Sequence, residues 1–138
     1  MEEPTEHMQR LAGQFSRYLG DQTGVALEPP VPGDSASLRR SFERLDLALA
    51  QIADMASVYG SEQRSDIEPL TLPTAVLAGE YLRIGLSGRW MEPAYEGDTN
   101  LMLVTGEGVA LDMDGMARTA LLSPQPNLTA LIEQLLLS

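Results

Sequence analysis

The sequence predicts an α+β domain, with three N-terminal helices followed by a three-stranded antiparallel meander and C-terminal helices. Three observations predict it. Leu38, Phe42, Leu45, Leu49, Ile52, Ala56 and Tyr59 are spaced by alternating steps of four and three, the apolar stripe of a long packed helix. The stretch from Leu72 to Leu86 is almost wholly apolar and runs through Ser87-Gly88 into Arg89-Trp90, where a strand begins. Beyond it, short apolar runs are separated by Gly106-Glu-Gly108, a hairpin signal. Helices first and consecutive strands afterwards point to α+β layering rather than alternating βα units.

The chain has 138 residues, enough for one domain, 1–138, with a core that needs no staples. An apolar share of 43% is ordinary for a globular protein. No run approaches the ~20 apolar residues of a membrane span, and the acidic start Met1-Glu-Glu-Pro-Thr-Glu lacks the basic and apolar regions of a signal peptide. A cytoplasmic protein is the expectation. The chain has no cysteine, which excludes disulfides, thiolate nucleophiles and cysteine metal sites. Acidic residues number 20 against nine basic, a net charge of -11, and every basic residue is an arginine. Such acidity opposes binding to nucleic acid or to an anionic membrane, since both depend on clustered cations. It suits a partner with a basic surface.

Pro4 opens the first helix, where a missing N–H is tolerated. Met8, Leu11, Ala12, Phe15 and Leu19 then share one face, and Gly20 is the expected stop. The only histidine, His7, sits in the first turn without a relay partner, so a solvent-facing role is expected rather than a general base. Gly24 to Glu28 is a candidate extended piece, and Pro29, Pro30, Pro32 and Gly33 keep the segment irregular. Asp34 or Ser35 should cap the second helix. Leu47, Ala48 and Met55 widen its stripe, predicting burial on more than one side, against other helices of the chain rather than in a coiled coil. Gly60 should end it, with Ser61 to Asp66 as a polar connection.

The third helix is expected from Leu72 or Pro73, as the central helix of the fold. Gly79 in its middle costs about 1 kcal/mol relative to alanine, so another element should approach closely there. The first strand should run from Arg89 to Tyr95, with Pro93 marking an edge or a bulge. Glu96 to Thr99 is a loop. Leu101 to Val104 is apolar throughout, as in a central strand covered on both faces. Val109, Leu111 and Met113 alternate with Ala110 and Asp112, as in a strand buried on one face. Asp114 should cap a short helix from Met116 to Leu122, broken by Ser123 and Pro124. Asn127 should cap the last helix, whose Leu128, Leu131, Ile132, Leu135 and Leu136 need cover from this domain or from a partner.

Chemistry-bearing motifs are few. Asp112-Met-Asp-Gly115 looks like part of a calcium loop, but Ala110 and Leu121 occupy positions where carboxylates are required, so a strand end and helix cap are expected. Glu92, Glu96 and Asp98 match no ligand spacing and read as a solvated loop tip. Ser87 lacks a nucleophile-elbow context, and the Asn127-Leu-Thr129 sequon coincides with a helix cap. The sequence implies no metal and no cofactor, having neither a dinucleotide fingerprint nor a P-loop. The one candidate site lies where the apolar helix meets the strand. Glu80 and Arg83 are spaced for an ion pair, and with Tyr81, Arg89 and Trp90 they are candidates to line a polar cleft. A carboxylate buried there is the candidate acid or base, and Glu80, Arg83, Arg89 and Trp90 are the candidate binding residues.

Leu11 to Leu27, Ser37-Leu38 with Leu45-Asp46, and above all Gly79-Glu-Tyr-Leu-Arg83 followed by Gly88-Arg-Trp90 carry a resemblance. The chain resembles a family of small uncharacterised domains from actinobacteria and Deinococcus-type bacteria, with a Gly-Glu helix, a Gly-x-Trp strand start and a short meander. It departs from that pattern after the meander, where Asp112 to Thr119 lacks a basic, proline-led segment. The resemblance implies the fold and a bacterial origin, and no activity.

The expectation for function is therefore a non-enzymatic domain that binds another protein, including a homodimer formed through the Leu101–Val104 strand face or the C-terminal helix. The alternatives are a small acidic secretion chaperone or immunity-like protein, and an enzyme using carboxylates near Glu80.

Overall fold

The computed structural model describes residues 4–58, 63–91, 101–122 and 128–137. The elements run α1 (Pro4–Thr23), α2 (Ser35–Val58), α3 (Gln63–Gly85), β1 (Arg89–Trp90), β2 (Met102–Val104), β3 (Ala110–Asp112), α4 (Met113–Leu122) and α5 (Leu128–Leu137). This is the α+β order that the sequence predicts. The expectations for Gly60, for Glu92, Pro93, Glu96 and Asp98, for Pro124 and for Asn127 fall outside the described residues.

α3 is the central helix and packs on α1, α2 and α4. From Thr74 to Leu82 every residue is buried, so no side of this stretch faces water. α1 brings Ala12, Phe15 and Leu19 to the shared core, and α2 brings Leu38, Phe42, Leu45 and Leu49, the start of its heptad stripe. Ala48 widens that stripe as expected, whereas Leu47 lies on the outer side and is 53% exposed.

Several helix limits differ from expectation, each for a local reason. α1 does not stop at Gly20. Gly24 takes the left-handed conformation at φ 73 and donates its N–H to the carbonyl of Gly20, ending the helix at Thr23. The Gly24 to Glu28 piece is irregular rather than a strand. α2 is capped by Asp34, whose Oδ1 accepts the N–H of Ser37 at 3.1 Å. α3 begins at Gln63, ahead of Leu72, and Arg64 to Asp66 are helical instead of forming a connection. Pro69 and Pro73 deprive its ladder of two N–H donors. Burial of the stretch that follows keeps the helix whole despite them.

The sheet order is β1-β2-β3, antiparallel throughout, so the strand from the Leu101–Val104 run is central. Trp90, Leu103 and Leu111 align across the three strands and form the buried face. The other face carries Arg89, Val104 and Ala110 in one row. There the expectation of full cover fails, because Met102 and Val104 are only half-buried. The Gly106–Gly108 hairpin forms as expected, closed by Gly108 N–H to Thr105 C=O at 2.9 Å. Val109 is 49% exposed and precedes the strand, and Met113 is buried as the first residue of α4 instead of the last of β3. The cap of α4 is Asp112, not Asp114: its Oδ1 accepts the N–H of Gly115 at 3.0 Å. Asp114 faces Arg118 one turn on, at 3.6 Å.

α5 docks on this domain, against α2 and α4. Asp46 of α2 accepts the N–H groups of Leu128 and Thr129 at 2.6 and 2.9 Å and the Thr129 hydroxyl at 2.5 Å. Arg39 reaches Glu133 at 2.5 Å on the same helix pair. No helix among the described residues is long and apolar enough to cross a membrane.

Candidate functional site

The candidate cleft forms where the end of α3 turns back into β1. The helix closes with Gly88 N–H bonded to the carbonyl of Arg83 at 3.0 Å, and Ser87 holds the left-handed position at φ 55. That reversal carries Trp90 back along α3 to Glu80. The indole N–H donates to Glu80 Oε2 at 2.8 Å. Arg83, one turn after Glu80, grips the same carboxylate with two prongs, Nε to Oε2 at 2.7 Å and Nη2 to Oε1 at 3.1 Å. Glu80 is only 4% exposed and Trp90 6%. Gly79 leaves the space that the indole fills, the close approach expected there.

Three of the four candidate residues therefore converge and one does not. Arg89 is exposed and lies on the opposite face of β1 from Trp90, in the row with Val104. Tyr81 faces α2, its ring edge-on to Phe42 at 5.6 Å between centroids. Its hydroxyl is buried without a hydrogen-bond partner, and burial pushes its pKa up to about 12. His7 is exposed on α1, where Nδ1 lies 3.0 Å from Arg10.

Three donors occupy the two oxygens of Glu80, most of the roughly four lone-pair directions a carboxylate has. A charge-assisted, bidentate pair in a largely dry setting is strong and directional. The indole bond from Trp90 to the same carboxylate ties the helix to the strand. As a general base, Glu80 would have to give up one of these bonds to reach a substrate proton. Among the described residues, no group of three His, Cys, Asp or Glu side chains is placed to hold a metal ion.

Beside this junction lies a groove of about 290 Å³ between α1 and α3. Ala12, Gly13 and Ser16 form one wall, Leu77 and Ile84 the other, and Arg83 and Pro29 line it too. The groove depends on the relative placement of two helices, which local sequence patterns do not give. The one local sign is Gly13, a glycine inside a helical stripe.

Searches with protein-family models, curated proteins and solved structures find no match to this chain.

Proposed function

We propose that the protein is a non-enzymatic domain of the bacterial cytoplasm that acts by binding another protein in the groove between α1 and α3. The observation that supports this reading is Gly13. It lies in the interior of α1, and a Cβ added there meets nothing within 4 Å. A glycine at such a place costs the helix about 1 kcal/mol relative to alanine. The fold gains neither a turn nor a close approach in return. What the missing side chain provides is an open groove wall.

Ala12, Leu77 and Ile84 suit an apolar side chain of a partner, with Gln9, Ser16, Glu80 and Arg83 as polar groups at the groove. A net charge of -11 favours a partner with a basic surface. Affinity capture from the native host, with wild type and Gly13→Leu baits compared, tests this. The expected result is a specific partner on the wild-type bait that Gly13→Leu loses while its thermal stability is kept. The same partner on both baits removes the groove from the reading, and no specific partner on wild type sinks protein binding itself.

A second copy of the chain is the other partner favoured by a specific observation. On the open sheet face, Arg89 and Asp112 stand at diagonally opposite corners around Met102 and Val104. A twofold face-to-face pairing would set Arg89 of each copy over Asp112 of the partner subunit. Light scattering that returns 15.0 kDa at all concentrations would remove this homodimer.

A further inference from the structure

We propose that a second hollow, between the Ala26–Val31 segment and the first turns of α2, binds the phosphoryl group of a small molecule through Arg40 and Arg44. The hollow measures about 340 Å³, and both arginines line it. Small-molecule sites typically span roughly 300–1,000 Å³, so it admits a phosphoryl group with part of its carrier.

Arginine is scarce here, nine against 20 acidic residues, yet Arg39, Arg40 and Arg44 fall within two turns of one helix. They are not equivalent. Arg39 is already spent on carboxylates, 3.3 Å from Glu43 and 2.5 Å from Glu133. Arg44 donates from Nη1 to the carbonyl of Ala26 at 3.2 Å, which steers its guanidinium against the segment and leaves its other donors available. Arg40 lies one turn before Arg44 and forms no ion pair with a described residue. Like charges at this spacing repel one another across a helix turn. An anion between them would turn that repulsion into attraction.

The walls are built rather than incidental. Ser37 Oγ accepts the N–H of Val31 at 2.8 Å, and Ser41 Oγ donates to the carbonyl of Glu28 at 2.9 Å. Both serines are buried, so the segment is pinned to α2 at successive turns. Two guanidinium groups on a fixed frame match the roughly -1.5 to -2 charge and three acceptor oxygens of a phosphoryl group better than a single-charged carboxylate. One charge opposes the ligand: Glu28 also lines the hollow.

The test titrates inorganic phosphate, O-phosphoserine and acetate into the full chain while backbone amides of Val31 and Ser37 are followed by NMR. Saturable shifts with the phosphoryl compounds, at least about tenfold tighter than with acetate, are expected. Arg40→Gln should weaken them at least about fivefold, Arg39→Gln should not, and Glu28→Gln should tighten them. The tighter of the two phosphoryl probes tells free phosphate from a phosphorylated carrier. Absence of saturable shifts, or equal weakening by Arg39→Gln and Arg40→Gln, would overturn the proposal.

Discussion

Gly79 sits directly beneath the indole of Trp90, so closely that a Cβ added to it would lie 2.5 Å from Cζ2 and 3.0 Å from Cζ3. Alanine should gain about 1 kcal/mol of helix propensity there. Overpacking a filled site costs about 1–3 kcal/mol, and a displaced indole also loses its 2.8 Å bond to Glu80. Gly79→Ala should therefore destabilise the fold by about 1–2 kcal/mol net, with a changed emission of the single tryptophan. Chemical denaturation followed by that fluorescence checks it. A stabilised variant with unchanged emission would show that the indole is free to move aside.

Glu80→Gln tests the junction itself. The neutral side chain keeps an acceptor for one donor but loses the two-pronged grip on Arg83, whose side chain is 22% exposed. Full loss of a partner in a buried pair costs about 3–5 kcal/mol, and partial access to water reduces that. A destabilisation of about 2 kcal/mol is expected, with the tryptophan signal altered as well. Full retention of the wild-type unfolding midpoint and emission would instead make Glu80 free for chemistry.

What is local and periodic in this fold is legible in the sequence. The stripe Leu38, Phe42, Leu45 and Leu49 repeats over successive turns of one helix, and Asp34 lies beside the N–H it caps, so both were legible. Gly79 was legible because a helix-interior glycine implies a close neighbour, although not which one. The limits of α1 and α3 were not. Gly20 and Pro73 look like boundaries, and their roles depend on where Gly24 turns and on what the rest of α3 buries. The cap of α5 was hidden for a different reason, since Asp46 lies 82 residues from Leu128 in the chain. Glu80 and Arg83 were grouped correctly by spacing, and Trp90 by the junction of helix and strand. Arg89 was not, because adjacent residues of a strand face opposite ways.

Tyr81→Phe should stabilise the protein. The buried hydroxyl has no hydrogen-bond partner, and removing an unsatisfied polar group while keeping the ring against Phe42 is worth about 1 kcal/mol. The gain should depend on pH in one direction. Burial raises the phenol from 10.0 to about 12, so the folded chain holds its proton longer than the unfolded chain. That contribution is fully present below pH 10.0 and is lost as pH rises through about 12. The advantage of Tyr81→Phe should accordingly widen across that interval. Thermal unfolding of both proteins at neutral and alkaline pH checks it, and a constant gap would mean that the phenol ionises as freely in the folded state.

Asp46→Asn should loosen the docking of α5. Its amide nitrogen cannot accept, so one of the N–H groups of Leu128 and Thr129 loses its partner, a loss of about 1–2 kcal/mol at neutral pH. Burial holds the Asp46 pKa above 3.8, against the opposing pull of the bonds from Thr129 and Leu128. A carboxyl raised in the folded state binds its proton more tightly there than in the unfolded chain. Its contribution is fully present below pH 3.8 and is lost as pH rises through the folded value. On acidification from neutral pH, wild type should therefore gain stability relative to Asp46→Asn, and the gap between them should widen. Urea denaturation of the pair across acidic pH measures this. A gap that closes as pH falls would mean that the donors from α5, and not burial, set the affinity of Asp46 for its proton.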